Sequence, residues 1–412
     1  MQKPELLAPG GSLEKLKTAI NYGADAVYIG GEAFSLRVAA ENFSYEDMKE
    51  GIEYAHKRGK KVYLTANILP HNADIAEFES FIKEIRPMGF DAVLIADLGM
   101  FDMMREQAPE IPIHISTQAN NVNYRSACAW HKMGAKRIVL AREMSFEEIK
   151  EIREKTPKDL EIEAFVHGAM CVSYSGRCLL SNYMTQRDAN RGACSHPCRW
   201  NYSLVEETRP GEYMNVFENE RGTFIFNSKD LCMIEHIPQL VKAGITSFKL
   251  EGRVKTSYYV ATIVKAYREE IDRYFENPEG YVFDKAQLDE LCKISHRPYS
   301  TGFYLGKPGP NEQVYTDSSY IRDYDLIGMV REYDEKTGIA TISQRNRFFV
   351  GDEIEIIQPG KPFFCQTVKY MENEAGERIE CAPHAQMIVK MPVDFPVTAD
   401  AMLRKVSTKK GM

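Results

Sequence analysis

Five of the nine cysteines lie between positions 171 and 232, and thiols gathered in this way can do chemistry. They are Cys171, Cys178, Cys194, Cys198 and Cys232. Clustered thiolates bind soft metals or iron–sulfur clusters in a reducing compartment and form disulfides in an oxidising one. The clustering therefore predicts a metal or iron–sulfur site in this segment.

The rest of the chain indicates a reducing compartment. The start has no basic stretch followed by an apolar one, which a secretory signal requires. No segment approaches the ~20 uninterrupted apolar residues of a membrane span. We therefore expect a cytoplasmic protein without membrane contact. The 412 residues have room for two or three domains, and the formal net charge of −7 gives no general attraction to nucleic acid, so RNA binding would need local basic patches.

A repeated unit organises the first two-thirds of the chain: a helical stretch ends at a glycine, and a short β-rich run follows. The glycines are Gly23, Gly59, Gly89, Gly134 and Gly244. Glycine closes a helix because it adopts the left-handed conformation without steric cost. With the runs "PELLAP", "IPIHIS" and "LEIEAFV", the pattern gives eight short apolar strands. The sequence predicts an α/β fold, a TIM-type (β/α)8 barrel over 1–296, with a cysteine-bearing insertion at about 167–232 after the seventh strand.

Reactive groups of such barrels lie just beyond the carboxyl ends of the strands. The polar and charged residues at these positions are Asn67, Asp97, Gln118, Arg142, His167, Glu251 and Arg253. Each one alone is typical of a helix cap or a rim salt bridge, whereas a set facing one mouth is typical of a polar substrate pocket. Both interpretations stay open at this point.

The composition and hydrophobic pattern of the chain change from about residue 297. The segment 297–322 is rich in Gly, Pro and Ser and predicts a linker, and 323–412 alternates short apolar runs with turn signals. These features predict a small C-terminal antiparallel β-barrel. Its basic side chains are typical either of a solvated surface or of a binding surface for tRNA or rRNA. They are Lys361, Lys369, Lys390, Arg404, Lys405, Lys409 and Lys410.

A longer pattern surrounds the first two clustered cysteines. Its members are Glu163, Phe165, Gly168, Ala169, Met170, Cys171, Gly176, Cys178, Leu180 and Ser181. The pattern resembles the signature of the U32 proteins, historically called U32 peptidases, and the opening "ELLAPGG" and the "LEGR" at 250–253 are also similar to that family. The resemblance implies a [4Fe–4S] cluster in the cysteine loop and oxygen-independent hydroxylation, with prephenate as the hydroxyl donor. Length and C-terminal barrel look most like members that hydroxylate the wobble uridine of tRNA at C5.

The resemblance also implies a set of cluster ligands. The family's spacing, carried over to this chain, gives Cys171, Cys178, Cys194 and Cys232. Another branch of the family uses a Cys-x3-Cys pair, which makes Cys198 the alternative ligand. Zinc suits four thiolates too, but its sites usually show close cysteine pairs, and only Cys194 and Cys198 have that spacing.

Prephenate carries two carboxylates, which favour guanidinium groups as partners. We choose Arg187 in the cysteine loop and Arg253 after the eighth strand to bind them. The remaining candidates are Gln118 and Asn67 for substrate binding and His167 and Glu251 for catalysis.

Three other functions stay open. The first is proteolysis, for which the sequence holds no His-Glu-x2-His and no Gly-x-Ser-x-Gly, although a dyad of Cys171 and His167 is compatible with the spacing. The second is hydroxylation of another target, a cytidine of 23S rRNA or the ubiquinone ring. The third is a cluster-carrying role beside a second U32 subunit. The expected partner in the favoured interpretation is tRNA.

Overall fold

The computed structural model describes residues 2–31, 33–35, 43–171, 173–174, 177–200, 218–219, 222–223, 229–306 and 320–407. Gly176 of the signature, Lys409 and Lys410 lie outside the described residues.

The strands of the first domain are, in chain order, β1 (Glu5–Pro9), β2 (Ala26–Gly30), β3 (Lys61–Thr65), β4 (Ala92–Ile95), β5 (Ile113–Ile115), β6 (Arg137–Val139), β7 (Glu161–Ala169), β8 (Glu218–Asn219), β9 (Gly222–Thr223), β10 (Asp230–Cys232), β11 (Ser247–Leu250) and β12 (Tyr299–Ser300). Its helices are α1 (Leu13–Asn21), α2 (Tyr45–His56), α3 (Ile75–Ile85), α4 (Leu98–Gln107), α5 (Tyr124–Met133), α6 (Phe146–Lys155), α7 (Leu180–Thr185), α8 (Ile237–Lys242), α9 (Ser257–Glu276) and α10 (Lys285–Cys292). In the part of the chain that the structure describes, no helix is both long and apolar enough to cross a membrane.

Eight of these strands close into a barrel. Strands β1 to β7 pair in chain order, all of them parallel, and β11 pairs in parallel with both β7 and β1. The predicted TIM-type (β/α)8 barrel is confirmed, because each of the eight predicted runs is one of its strands.

The barrel helices begin and end at capping residues. Ser44 Oγ accepts from the Asp47 N–H at 3.1 Å, and Ser145 and Glu148 form a reciprocal capping box. Gly134 ends α5 at a φ of 111°, a left-handed conformation that a Cβ would strain. These local signals decide where each strand re-enters the barrel and so which polar residues reach its mouth.

Strand β7 is longer than the sequence indicates. It reaches Ala169, and its last residues pair antiparallel with β10, which in turn pairs in parallel with β12. Against β11, Lys249 lies opposite Phe165 but Leu250 lies opposite His167, so β7 carries one extra residue there. Such a bulge turns the next side chain to the other face of the sheet. The insertion therefore leaves the barrel after Ala169. The side chain of His167 lies on the opposite face of β7 from the one that regular alternation predicts.

The C-terminal domain is built from β13 (Tyr324–Asp334), β14 (Ile339–Gln344), β15 (Phe348–Phe349), β16 (Glu353–Gln358), β17 (Lys361–Thr367), β18 (Met371–Glu372), β19 (Arg378–Ile379), β20 (Cys381–Ala382), β21 (Ile388–Pro392) and β22 (Met402–Val406). The main sheet is antiparallel in the order β17-β16-β22-β13-β14-β21-β18-β19, and it has a hydrophobic core of its own that includes Ile342, Val389 and Leu403. The predicted antiparallel domain is confirmed, but among the strands described no pairing closes the sheet into a barrel.

The predicted linker begins as part of the barrel domain. Arg297 and Tyr304 are buried, and β12 pairs with β10. Tyr304 Oη donates to the Phe165 carbonyl at 2.7 Å. The first part of 297–322 is therefore packed structure, because aromatic and guanidinium side chains anchor a segment whose Gly, Pro and Ser content indicates a loop. Residues 307–319 lie outside the part that is described.

The two domains meet across a buried charged contact. Arg404 is fully buried and forms ion pairs with Glu290 of α10 at 2.8 Å and Glu355 of β16 at 2.6 Å. Within the C-terminal domain, the neighbouring Lys405 pairs with Asp352 at 2.6 Å. Arg404 is thus a structural residue between domains and is not available as part of an RNA-binding surface.

Candidate active site at the mouth of the barrel

The amino-terminal half of the barrel interior is filled by buried ions. Arg137 lies 2.6 Å from Glu5 and 2.9 Å from Glu163, and Lys249 Nζ lies 2.7 Å from Glu163. Burial alone would raise the pKa of Glu163, but Lys249 and Arg137 outweigh it and hold this pKa below its ordinary value. Because ion-paired side chains fill this half of the barrel, a substrate would bind at the carboxyl ends of the strands.

Glu251 and Arg142 form an ion pair at that end. Arg142 Nη2 lies 2.9 Å from Glu251 Oε2, and the guanidinium stacks 3.8 Å from the centre of the Phe165 ring. Arg142 Nη1 also donates to the Ala169 carbonyl. Gly168 fits here because a Cβ at this position would lie 2.7 Å from the Glu251 side chain. The mouth therefore holds a carboxylate in a fixed position, as proton transfer requires.

Arg253 is buried at the mouth among hydroxyl groups. Its Nη1 donates to Ser35 Oγ at 2.6 Å and to Thr65 Oγ1 at 3.2 Å. A Cβ on Gly30 would lie 2.5 Å from Arg253 Nη1, and one on Gly11 would lie 1.9 Å from the Arg253 carbonyl. The two glycines leave the space that this arginine occupies, so Arg253 lies at the mouth as the sequence predicts.

The predicted amides lie around Ser116. Asn67 Nδ2 and the backbone N–H of Gln118 both donate to Ser116 Oγ, at 3.0 and 3.4 Å. Asn67 Oδ1 is buried without a hydrogen-bond partner among the described residues, and so are both amide atoms of Asn121. Asp97, in contrast, is a helix cap, because its Oδ1 accepts from the backbone of α4 at 3.0 Å. Buried amide atoms left unpaired call for a partner, which a bound polar molecule can supply.

His167 does not face the mouth. Its side chain is 1% exposed and lies among the rings of Tyr259 and Tyr267 of α9 and of Tyr299. Burial lowers its pKa to about 3, so the imidazole is neutral near pH 7. Its predicted place at the rim is corrected, because the bulge in β7 turns it toward α9; a catalytic role for it stays a prediction.

The cysteine loop is tied to the barrel by Arg191. This side chain makes two hydrogen bonds to the carboxylate of Asp74, at 2.7 and 2.8 Å, in the connection after β3. The hydrogen bonds from Arg191 hold the pKa of Asp74 well below its ordinary value. Arg187, which we predicted to bind substrate with Arg253, is exposed on the loop, whereas Arg253 is buried in the barrel. The structure does not bring these two arginines together.

The five clustered cysteines lie at different depths. Cys171 is exposed, Cys178, Cys194 and Cys198 are half-buried, and Cys232 is buried, which raises the pKa of its thiol to about 12. Within the described ranges, no group of three or more His, Cys, Asp or Glu side chains is positioned to hold a metal ion. The donor set suits a soft metal or an iron–sulfur cluster by its chemistry, and the thiols would have to draw together around it.

Sequence reasoning missed three residues that shape the site. Thr65 is the last residue of β3, a position that could have marked it as a mouth residue. Ser35 follows the glycines that leave space for Arg253, and that position is a weaker sequence signal of a mouth residue. Asp74 has no sequence signal of its role, because its partner Arg191 is 117 positions away.

Fold and site together define a (β/α)8-barrel protein with a polar mouth, a thiol-rich loop beside it and an antiparallel C-terminal domain. The chain belongs to the U32 family: the family model described as "Peptidase family U32" matches residues 11–314, and "Peptidase family U32 C-terminal domain" matches 322–404. The resemblance carried by the cysteine signature is thereby confirmed.

Several curated relatives match nearly the whole chain. "tRNA hydroxylation protein P1" of Bacillus subtilis is 43% identical over 404 residues, covering 98% of this chain and 95% of the relative. "tRNA hydroxylation protein P" of Escherichia coli is 40% identical over 449 residues, covering 99% and 98%. A protein named "Collagenase" from Porphyromonas gingivalis is 31% identical over 399 residues, covering 93% of each.

Proposed function

We propose that this protein hydroxylates tRNA at C5 of the wobble uridine, without oxygen and with prephenate as the hydroxyl donor. The observation that carries the proposal is the similarity of almost the whole chain to two tRNA hydroxylation proteins, at 43% and 40% identity. The mouth supports it, because a guanidinium, a carboxylate and unpaired amide atoms suit a polar substrate. A tRNA substrate also assigns the activity to the cytoplasm.

The proposed cofactor is a [4Fe–4S] cluster in the cysteine loop. Cys171, Cys178, Cys194 and Cys232 would hold it, with Cys198 as the alternative ligand. When bound, such a cluster supplies a Lewis-acidic iron or an electron relay for chemistry on an oxygenated carbon. Because thiolates are the ligands, loading would remove the proton from the buried Cys232 thiol.

The chain's own groups have separate tasks in this proposal. Arg253, fixed by two hydroxyl groups, binds a carboxylate of prephenate through its planar fork. Asn67 and Gln118 orient the polar edge of the substrate beside Ser116. Glu251, fixed by Arg142, holds or moves a proton at its Oε atoms.

Proteolysis is the older interpretation of this family, and it requires an activated nucleophile. A dyad would have to join Cys171 to His167. Cys171 is exposed, whereas His167 is buried against α9. The two groups do not face each other, so we do not propose a cysteine peptidase.

Nucleoside mass spectrometry of tRNA and rRNA from a strain lacking the protein tests the proposal. We expect 5-hydroxyuridine-derived nucleosides to disappear from tRNA, to return with the wild-type protein and to stay absent with Cys171→Ala. Unchanged tRNA together with a missing hydroxycytidine in 23S rRNA would assign the chain to rRNA. Unchanged RNA of both kinds would refute the proposal. Loss in the cell without activity of the pure protein would point to a second U32 subunit.

A further inference from the structure

The cysteine loop exposes an unusual concentration of large apolar side chains. Of the seventeen large hydrophobic residues exposed in the described ranges, five lie between 174 and 200. They are Tyr174, Leu179, Tyr183, Met184 and Trp200, and we call them the aromatic surface of the loop. Tyr183 is the most exposed, at 84%. Grouped exposed apolar side chains mark an interaction site, whereas single ones need no explanation.

A hydrogen-bonded scaffold holds part of this surface in place. The buried Ser181 of α7 accepts from the Ser195 N–H at 3.0 Å, and Thr185 Oγ1 lies 2.9 Å from Ser195 Oγ. The short helix α7 is therefore fastened to the segment that leads to Trp200. Ser181 and Thr185 lie on the side of α7 that faces the loop, and Tyr183 and Met184 are exposed to solvent. These two side chains are therefore exposed on a helix that hydrogen bonds hold in position.

The surface lies beside the barrel mouth and carries positive charge. Arg191 fastens the loop to Asp74, and the Leu69 N–H donates to the Asn190 carbonyl at 3.5 Å. Two further arginines in the same loop, Arg177 and Arg187, are exposed, and neither forms an ion pair with another residue that the structure describes.

The loop backbone brings both arginines close to the surface. The Arg177 N–H donates to the Tyr174 carbonyl at 3.1 Å, and the Arg187 carbonyl accepts from Ser181 Oγ at 2.8 Å. Aromatic rings interleaved with guanidinium groups are the combination that binds unpaired nucleotides, by base stacking and phosphate contacts.

We propose that the aromatic surface binds the unpaired nucleotides that flank the base entering the barrel mouth. Tyr183 stacks on a base, and Arg177 and Arg187 contact phosphates. This inference rests on the proposed function, since it takes the RNA substrate from there. It gives local binding to a protein whose net charge of −7 repels RNA as a whole.

Fluorescence anisotropy with three RNA probes tests the surface at fixed salt: tRNA from a deletion strain, a single-stranded oligonucleotide and a blunt duplex. Since stacking on one side chain is worth roughly 5- to 150-fold in affinity, Tyr183→Ala should weaken binding of tRNA and of the oligonucleotide by a factor in that range. Tyr183→Phe, which keeps the ring, should bind within about 2-fold of wild type. The matched control is Phe395→Ala in the C-terminal domain, where Phe395 is 58% exposed, and it should bind like wild type.

The phosphate contacts have a signature of their own. In Arg187→Gln the negative slope of log affinity against log salt should become shallower by about one, because one phosphate contact is lost. Bound iron should stay at the wild-type amount in Tyr183→Ala, which separates RNA binding from damage to the cysteine loop.

Wild-type affinity of Tyr183→Ala for tRNA and the oligonucleotide would overturn the inference. The same holds if this variant keeps its RNA affinity and loses only association with a protein, because the surface would then be a protein interface. If the wild-type protein binds RNA through Tyr183 but its return to the deletion strain restores no hydroxylated nucleoside, the proposed function is refuted and the RNA-binding surface is not.

Discussion

Arg253 is held inside the barrel mouth by Ser35 and Thr65, and glycines leave the room that it needs. In Gly30→Ala the new Cβ would come within 2.2 Å of Ser35 Oγ and 2.5 Å of Arg253 Nη1. We expect the Arg253 guanidinium to shift and to lose charge-assisted hydrogen bonds to the substrate. The apparent affinity for prephenate should therefore fall about 10-fold or more. Steady-state kinetics would measure it. An unchanged KM for prephenate would show that Arg253 does not bind this substrate.

The cysteine assignments are tested one residue at a time. Cys171→Ala, Cys178→Ala, Cys194→Ala and Cys232→Ala should each lose the bound iron and the broad absorbance near roughly 400 nm that thiolate-ligated clusters show. Cys198→Ala should keep most of both and is the matched control, since it removes a thiol from the same loop. If Cys198→Ala bleaches the protein and Cys232→Ala does not, the alternative ligand set is the right one.

At the scale of the element, an ion pair between Arg191 and Asp74 ties the cysteine loop to the barrel. The pKa of Asp74 is lowered in the folded protein, so its ion pair with Arg191 stabilises the docked loop fully above the ordinary carboxyl pKa of about 4. This stabilisation is lost as the pH falls further and the carboxylate is protonated. Asp74→Asn should reproduce this loss at neutral pH and raise hydrogen exchange in 189–200 by a factor of about 5. Glu79→Gln, which removes an exposed pair with Lys83, is the control. Equal exchange in both variants would show that Asp74 does not anchor the loop.

The elements of the barrel could be predicted because their signals are local. Gly134 ends one helix and Ser145 begins the next, and the apolar run between them is a strand. The orientation of His167 could not be predicted, since it depends on the register between β7 and β11, strands far apart in the chain. The contact of Asp74 with Arg191 has the same origin. The sequence therefore indicates which residues end near the mouth but not which of them turn into it.

At the scale of the whole molecule, Arg404 joins the two domains. Arg404→Met would remove the fully buried cation, but Lys293 still pairs with Glu290 at 2.8 Å and with Glu355 at 2.9 Å, so we expect a loss of about 1–3 kcal/mol. Urea denaturation should show this loss in the free energy of unfolding. Lys57→Met, which breaks an exposed pair with Glu53, should change it by less than about 0.5 kcal/mol. Similar values for both variants would mean that the domains do not stabilise each other through Arg404.

Whether the barrel and its cysteine loop together hydroxylate tRNA is tested most directly by adding the protein back. Anaerobically purified protein is given to an extract of the deletion strain, which holds unmodified tRNA and any partner subunit or electron donor. We expect 5-hydroxyuridine to form in tRNA when prephenate is supplied, and none to form without prephenate or with Cys171→Ala. Unmodified tRNA in the complete reaction, from protein that carries its iron, would contradict the proposed function.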